Sequence, residues 1–496
     1  MKKYVLSIDQ GTTSSRAVIF DTQAQPVCIA QREFTQHFPN SGWVEHDANE
    51  IWSTQAAVCV EAIQRSGIDP AEIACIGITN QRETTVAWNK LTGQPVYHAI
   101  VWQDRRTASY CDELRKKGVE PIIKNKTGLL LDAYFSASKI HWILTHVDEA
   151  KKLADAHQLC VGTIDSWLLW KLTQGKVHAT DVSNASRTML FNIHTLEWDD
   201  ELLKLFEIPK GILPTVCSSA EIYGYTQGII CQDAIPISGI AGDQQAALFG
   251  QRCVEKGMVK NTYGTGCFLV MNTGDEIINS QNRLISTIAW KIKDKVCYAL
   301  EGSIFIGGAV IQWLRDGLQI IQSSSQVEQL ALTVKDNGGV YFVPALSGLG
   351  APYWDPYARG LMIGLNRGTT AAHIARAAME SIAFQCNDVL ECMQQDIQQN
   401  ITELRVDGGA TSNLTLMQFQ SDISHLNISL PTHQEITSMG AAFLAGVGCG
   451  LWNEEELDQL YAVKNHIEPQ LEEKERKHQL LRWKNAVERS MKWEEE

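Results

Sequence analysis

The sequence predicts an α/β protein of two duplicated domains, each opened by its own hairpin, and three observations carry that prediction. A β-rich run, Tyr4–Asp9, turns through Gln10-Gly11-Thr12-Thr13-Ser14-Ser15 and returns as Arg16–Phe20, the pattern of a hairpin. The pattern recurs about half a chain later, where Gly257–Tyr263 leads through Gly264-Thr265-Gly266 into Cys267–Met271. Strand-like and helical stretches alternate between and after the two hairpins, as α/β architecture requires.

Each further element follows from local residue chemistry. Asp47-Ala48-Asn49-Glu50 offers a capping box, apolar residues recur at Ile51, Val58 and Ile63, and Gly67 supplies a stop, so a helix is predicted. Ile73–Ile78 is a continuous apolar run and predicts a buried strand. The domain boundary falls near Gly250 to Gly257, where the second hairpin begins, giving domains of residues 1–252 and 253–496. In the second domain a long helix spans about Ala371 to Gln395, before the strand Leu404–Asp407 and the pair Gly408-Gly409. From Glu468 to Glu496 the chain is dense in charge but keeps Leu471, Leu480, Leu481, Trp483, Val487 and Met491 at loose helical spacing, which predicts an amphipathic helix packed on the body.

Composition narrows the function. The 496 residues are 44% hydrophobic and 20% charged, with 13 Pro, which places the chain among globular proteins and excludes collagen-like and disordered classes. Its net charge of −14 has the wrong sign for non-specific nucleic-acid binding. The apolar stretch at the N-terminus breaks at Ser7 and Asp9, and no run approaches the ~18 apolar residues of a spanning helix. A soluble, cytoplasmic protein without membrane insertion is therefore expected. Thirteen cysteines, dispersed from Cys28 to Cys449 without a Cys-x-x-Cys pair, read as reduced, buried thiols.

A turn rich in Gly, Thr and Ser can hold a phosphate through backbone N–H groups and hydroxyls without a cationic side chain. Asp9–Ser15 fits that description, with Asp9 at the strand end where a hydrated Mg²⁺ could be anchored. One such turn is commonly only a turn; two facing turns can grip one polyphosphate from both sides. Asp407-Gly408-Gly409-Ala410 adds paired glycines at a strand end, suited either to close approach of a nucleotide or to an ordinary strand-to-helix turn. Gly-x-x-x-x-Gly-Lys-Ser/Thr is absent, no Gly-x-Gly-x-x-Gly follows the first strand, and the His-Arg-Asp and Asp-Phe-Gly sets of protein kinases are missing.

Asp9–Arg16, Gly42–Asp47, Gly77–Thr84, Trp102–Arg106, Gly239–Gly250 and Asn261–Gly266 together resemble the FGGY family of carbohydrate kinases, in its glycerol-phosphorylating branch. Tyr134–Trp142 and Gly360–Leu365 resemble that family's two signature segments, and the resemblance runs from about Tyr4 to about Gly446. It implies an actin/Hsp70-like (ribonuclease H-like) fold, ATP with Mg²⁺, transfer from ATP to glycerol giving sn-glycerol 3-phosphate for glycerol catabolism, and a homodimer or homotetramer. By the same resemblance Thr12, Thr13, Ser14, Arg16 and Thr265 meet the phosphates, and Gly308, Gln312, Gly409 and Asn413 the rest of the nucleotide. Arg82, Glu83, Tyr134, Asp243 and Gln244 would bind the polyol, with Trp102 and Phe268 as apolar walls and Asp9 and Asp243 near the metal. Thr226–Ile235 departs from the family, lacking the Gly-Gly-Thr-Arg loop that binds fructose 1,6-bisphosphate in some members and any histidine of the phosphorylated kind.

The residue types suit those roles. A triol hydroxyl both donates and accepts, so an adjacent fixed donor and acceptor, Arg82 and Glu83, can read it. The alternative makes Arg82-Glu83 a surface ion pair and Trp102 a core aromatic. Asp243 is the expected general base, since phosphoryl transfer needs the attacking hydroxyl aligned and its proton accepted; it is also a candidate helix N-cap. Two other functions compete: a kinase of this fold acting on another polyol or ketose, and an actin- or Hsp70-like ATPase acting on protein partners. Arg82-Glu83, Trp102 and Asp243-Gln244 argue against the last, and Thr79–Glu83 tips the choice of acceptor to glycerol.

Overall fold

The first hairpin forms as the sequence predicts: β1 (Tyr4–Gln10) and β2 (Ser14–Asp21) pair antiparallel in the computed structural model, which describes residues 2–494. β3 (Pro26–Glu33) extends β2 antiparallel, and α1 (Ala48–Ser66) packs across both. Asp47 caps α1 by accepting from Asn49 N at 2.8 Å, and Gly67 ends it in the left-handed region. The expected capping box does not form, because Asp47 takes the N–H of Asn49 rather than that of Glu50, and Glu50 Oε1 is occupied by Thr35 N and Oγ1 at 3.1 and 3.0 Å. β4 (Ile73–Asn80), buried along its whole length, lies parallel to β1, and β5 (Pro236–Gly242) lies parallel to β4.

The second half repeats this plan. After α2 (Asp243–Gly250), β6 (Val259–Tyr263) and β7 (Cys267–Gly274) form the second hairpin. β8 (Ile285–Ile292) and β9 (Lys295–Ile304) continue the antiparallel side, β9 against β7. Then come α3 (Ala309–Asp316) and the long α4 (Ala371–Ile397). β10 (Glu403–Asp407) joins β6 in parallel, followed by α5 (Leu414–Ser424), β11 (Asn427–Pro431), α6 (Ile436–Cys449), β12 (Val463–Ile467) and α7 (Glu473–Ser490). Both sheets therefore carry the order hairpin, third antiparallel strand, and two parallel strands on the other flank, the duplicated actin-like plan.

The halves are interlocked. α6, from the second half, covers β1, β4 and β5 of the first sheet, while α2 packs between α6 and the second sheet. Ser7 and Ser238 donate to the carbonyls of Ser438 and Ala445 on α6, both at 2.7 Å. The approach requires glycine in the strand, since a Cβ on Gly239 would sit 2.3 Å from Ala445 N. One apolar cluster, including Val5, Val18, Phe249, Val270, Phe443 and Leu444, runs through this contact.

α7 is buried on the face set by Leu480, Trp483, Ala486 and Val487, and Trp483 Nε1 donates to Asp388 of α4 at 2.8 Å. Leu481, expected on that face, points to solvent, because one residue of helix turns it about 100° from Leu480. The thirteen cysteines are free thiols, seven buried and six half-buried, so burial is less complete than expected. Among the described residues no helix is long and apolar enough to cross a membrane.

Candidate active site

Ligands of open α/β sheets gather outside the carboxyl ends of parallel strands. β1 ends at Asp9-Gln10, β4 runs into Arg82-Glu83, β5 into Asp243, β6 into Gly264–Gly266 and β10 into Gly408-Gly409. Because β1, β4 and β5 are neighbours, Asp9, Arg82 and Asp243 emerge side by side.

Arg82 and Glu83 are not a surface pair. Both are buried, and Glu83 adopts φ +60°, a left-handed conformation that strains a residue with a Cβ. Arg82 Nη2 donates to Glu301 Oε1 at 3.1 Å and Nη1 to Glu301 Oε2, while its Nε lies 3.2 Å from Asp243 Oδ1. Glu301, on β9, also accepts from Arg187 Nη2 at 2.9 Å, and Arg187 Nε donates to Glu83 Oε1 at 2.6 Å. The result is a buried network of two acids and two bases in which Glu301 reaches over from the second sheet. Burial raises the Glu301 carboxyl, but Arg187 and Arg82 outweigh it and hold the group at about 2. For Glu83 burial dominates over both arginines and its pKa is raised.

Three aromatic rings close this region. Trp102 meets Tyr134 at 5.6 Å between centroids and Phe268 at 6.4 Å, both edge-on. Tyr134 Oη is 3.5 Å from Arg82 Nη2. Trp102 Nε1 donates to Thr12 Oγ1 at 3.0 Å. One tryptophan thus touches the first hairpin by its N–H and, by its ring, a phenylalanine on the second.

In the first turn Gly11 N donates to Ser14 O at 3.0 Å, and Thr13 is exposed. Ser14 Oγ accepts from Gln31, and Arg16 is engaged by Glu435 and by Gln31 Oε1 at 2.9 Å. The second turn is stapled to the start of α3, with Gly307 N and Ala309 N donating to Thr265 O at 2.8 and 3.0 Å and Gly308 N to Gly264 O at 2.9 Å. Thr265 and Gln312 are exposed around it. Gly408 has φ +95°, and a Cβ there would lie 2.4 Å from Tyr263 O, so only glycine lets this turn close on the second hairpin. Gly409 follows exposed, and Asn413 caps α5 by accepting from Leu416 N at 2.8 Å. Gly308, Gln312, Gly409 and Asn413 thus gather around the second hairpin, while Thr12, Thr13, Ser14 and Arg16 form the facing edge of the first.

Asp243 is the first residue of α2, and Gly242 takes the N-cap position. Its Oδ1 accepts from Gln244 N at 2.7 Å, and its side chain is 33% exposed, open to a ligand. Gln244 is buried. Burial foremost lifts Asp9 to about 6, with Arg16 and a 2.8 Å bond from Ser438 pulling down and Asp243 adding to the rise. Among the described residues no three His, Cys, Asp or Glu side chains cluster to cage a metal. Two carboxylates beside a Gly-, Thr- and Ser-rich turn have the oxygen chemistry that suits Mg²⁺, which usually keeps waters and arrives with phosphates.

Sequence reasoning missed Arg187 and Glu301. The available signal was a single acid in the otherwise uncharged run 296–304 of β9 and a single arginine in the otherwise uncharged run 182–193; their partnership across 114 positions leaves no local trace.

Comparison with known proteins adds independent findings. The model of the FGGY family of carbohydrate kinases, N-terminal domain, matches residues 4–250, and that of the C-terminal domain matches residues 259–449. The chain is 58% identical to the glycerol kinase of Dichelobacter nodosus, over all of both chains. It is 56% identical to glycerol kinase 2 of Thermotoga maritima, over 99% of each. Its structure is similar to that of Plasmodium falciparum glycerol kinase with ADP, with a TM-score of 0.92, 38% identity and 98% of each chain covered. The fold is shared with a xylulose kinase from Lactobacillus acidophilus at a TM-score of 0.87 and 22% identity, covering 98% of this chain and 97% of that one.

Proposed function

The chain belongs to the FGGY family of carbohydrate kinases, and from that membership we infer that it phosphorylates glycerol with ATP and Mg²⁺. The product by this reading is sn-glycerol 3-phosphate, the entry step of glycerol catabolism. The observation that carries the reading is the contact of Arg82 with Asp243 at 3.2 Å and with Tyr134 Oη at 3.5 Å, which sets charged polar groups next to the Tyr134–Trp102–Phe268 rings.

In this mechanism Arg82 donates to glycerol hydroxyls and Glu83 accepts from them, while Trp102 and Phe268 cover the carbon face and Tyr134 and Gln244 add polar contacts. Asp243 is the general base. With Oδ1 held by Gln244 N and Arg82, Oδ2 accepts the proton of the attacking hydroxyl and aligns its oxygen. Thr12, Thr13, Ser14, Arg16 and Thr265 hold the phosphates through backbone N–H groups, hydroxyls and one guanidinium. Gly308, Gln312, Gly409 and Asn413 take the remainder of the nucleotide. Mg²⁺, held by Asp9 and Asp243 through its waters, would neutralise phosphate charge. Closure of the halves excludes water, which would otherwise accept the phosphoryl group.

The division into residues 1–252 and 253–496, a homodimer or homotetramer, and a cytoplasmic location belong to the same reading. A coupled ADP-release assay over glycerol, dihydroxyacetone, xylulose, erythritol and gluconate tests it. Glycerol is expected to give the highest kcat/KM; preference for a five- or six-carbon acceptor overturns the choice of substrate.

A further inference from the structure

Lys260 lies on β6, two residues before Thr262, and is wholly buried. Its ammonium donates to three acceptors: Gln244 Oε1, Thr262 Oγ1 at 2.8 Å and the Phe268 carbonyl at 3.3 Å. An ammonium has three donors, so the set is filled with no proton left over. A buried charge survives only when its hydrogen bonds are complete and opposite charges stand near. Here Asp407 of β10, Asp243 of α2 and Glu301 of β9 favour the charged form, against Arg82 and against burial, the largest influence, which brings Lys260 down to about 8.

The three acceptors belong to different machinery. Gln244 is in the first turn of α2, directly after Asp243, in the first half of the chain. Thr262 and Phe268 are a directly paired couple on β6 and β7, just below the second phosphate turn, and the Phe268 ring faces Trp102. A lysine retained there against its own desolvation stabilises a geometry more than it stabilises the fold, because an apolar side chain would fill the same space without the burial penalty.

We propose that Lys260 is a positioning residue for phosphoryl transfer, whose ammonium fixes the first turn of α2, and with it Asp243 and Gln244, against the neck of the second phosphate hairpin. Alignment of acceptor and phosphoryl group then depends on a side chain that touches neither. The proposal rests on the polyol-kinase reading above, and the two are separated by assaying the wild-type protein first. An acceptor other than glycerol defeats that reading alone, and the variants are then compared on whichever acceptor the wild type uses.

The test is a set of steady-state measurements on Lys260→Met, Lys260→Arg, Gln244→Ala and the double variant K260M/Q244A, with each protein's melting transition recorded. Displacing a positioned group by about 1 Å costs on the order of 10²-fold. K260M is expected to lose about that factor in kcat while its KM for ATP changes by less than about threefold. K260R, which restores charge and donors, should recover about tenfold of the loss, and K260M should cost far less in the Q244A background than alone. Lys260→Gln replaces K260M in every comparison if the methionine variant does not fold. Wild-type kcat in the folded variant, a loss fully additive with Q244A, or a loss that K260R does not relieve overturns the proposal.

Discussion

Replacing Glu301 with glutamine is expected to destabilise the protein and weaken its hold on glycerol together. Glu301 is wholly buried between Arg82 Nη2 at 3.1 Å and Arg187 Nη2 at 2.9 Å. Removing one partner of a buried ion pair costs about 3–5 kcal/mol. Glu83 still faces Arg187 at 2.6 Å and Asp243 still faces Arg82 at 3.2 Å, so the lower figure, about 3 kcal/mol, applies. The carboxyl's own titration gives the same size: at ~1.4 kcal/mol per pH unit, lowering it from 4.5 to about 2 corresponds to about 3 kcal/mol. Since the folded pKa lies below the unfolded one, this stability is present above about pH 4.5 and is lost as pH falls toward 2. Urea denaturation of wild type and E301Q at about pH 7 should show the full gap, and at about pH 3 a smaller one. The glycerol KM should rise, because Arg82 loses the group that orients it. Coincident midpoints at neutral pH, or a gap that ignores pH, refute the reasoning.

Asp243→Asn keeps an oxygen for Gln244 N and Arg82 but cannot take a proton, so kcat should fall by about 10²- to 10⁴-fold with a much smaller change in glycerol KM; wild-type turnover removes Asp243 from the chemistry. Arg82→Ala should raise the glycerol KM steeply and leave ATP binding without glycerol nearly intact by calorimetry; an unchanged KM denies Arg82 its role. Burial foremost raises Asp388 to about 7, above 3.8 and against the bonds from Trp483 and Tyr353, so its contribution is present below about pH 3.8 and lost as pH rises through 7. Asp388→Asn should therefore melt higher than wild type at about pH 8 and not at about pH 4, and a lower melting point at the alkaline pH contradicts the sign. Small-angle scattering should show a smaller radius of gyration with glycerol and a non-hydrolysable ATP analogue together than with neither, and equal radii count against closure.

The parts of this molecule legible in its sequence are those written in local chemistry. The hairpin at Gly11–Thr13, the strand at Ile73, the helix opening at Ala371 and the glycine turn at 408 each rest on a few neighbouring residues and appear where predicted. Asp243, Arg82 and Trp102 were legible because their segments resemble a family. Lys260, Arg187 and Glu301 were not, since a buried charge is explained only by a partner that distant sequence supplies. The capping box at Glu50 failed for the same reason, Thr35 beyond the end of β3 having taken its carboxylate.

The exchange of helices between the halves bears on what a fragment of this protein can be. A polypeptide stopping at residue 252 would leave Val5, Val18, Ala74 and Ala241 without Phe443 and Leu444 above them, and one starting at 253 would strand α6 with an uncovered apolar side. Neither piece is a self-sufficient folding unit, and a nick in the connecting segment would yield two chains that cohere rather than two that drift apart. Any gene fusion or split reporter built on this scaffold must deliver both pieces at once, because each is the other's missing hydrophobic cover.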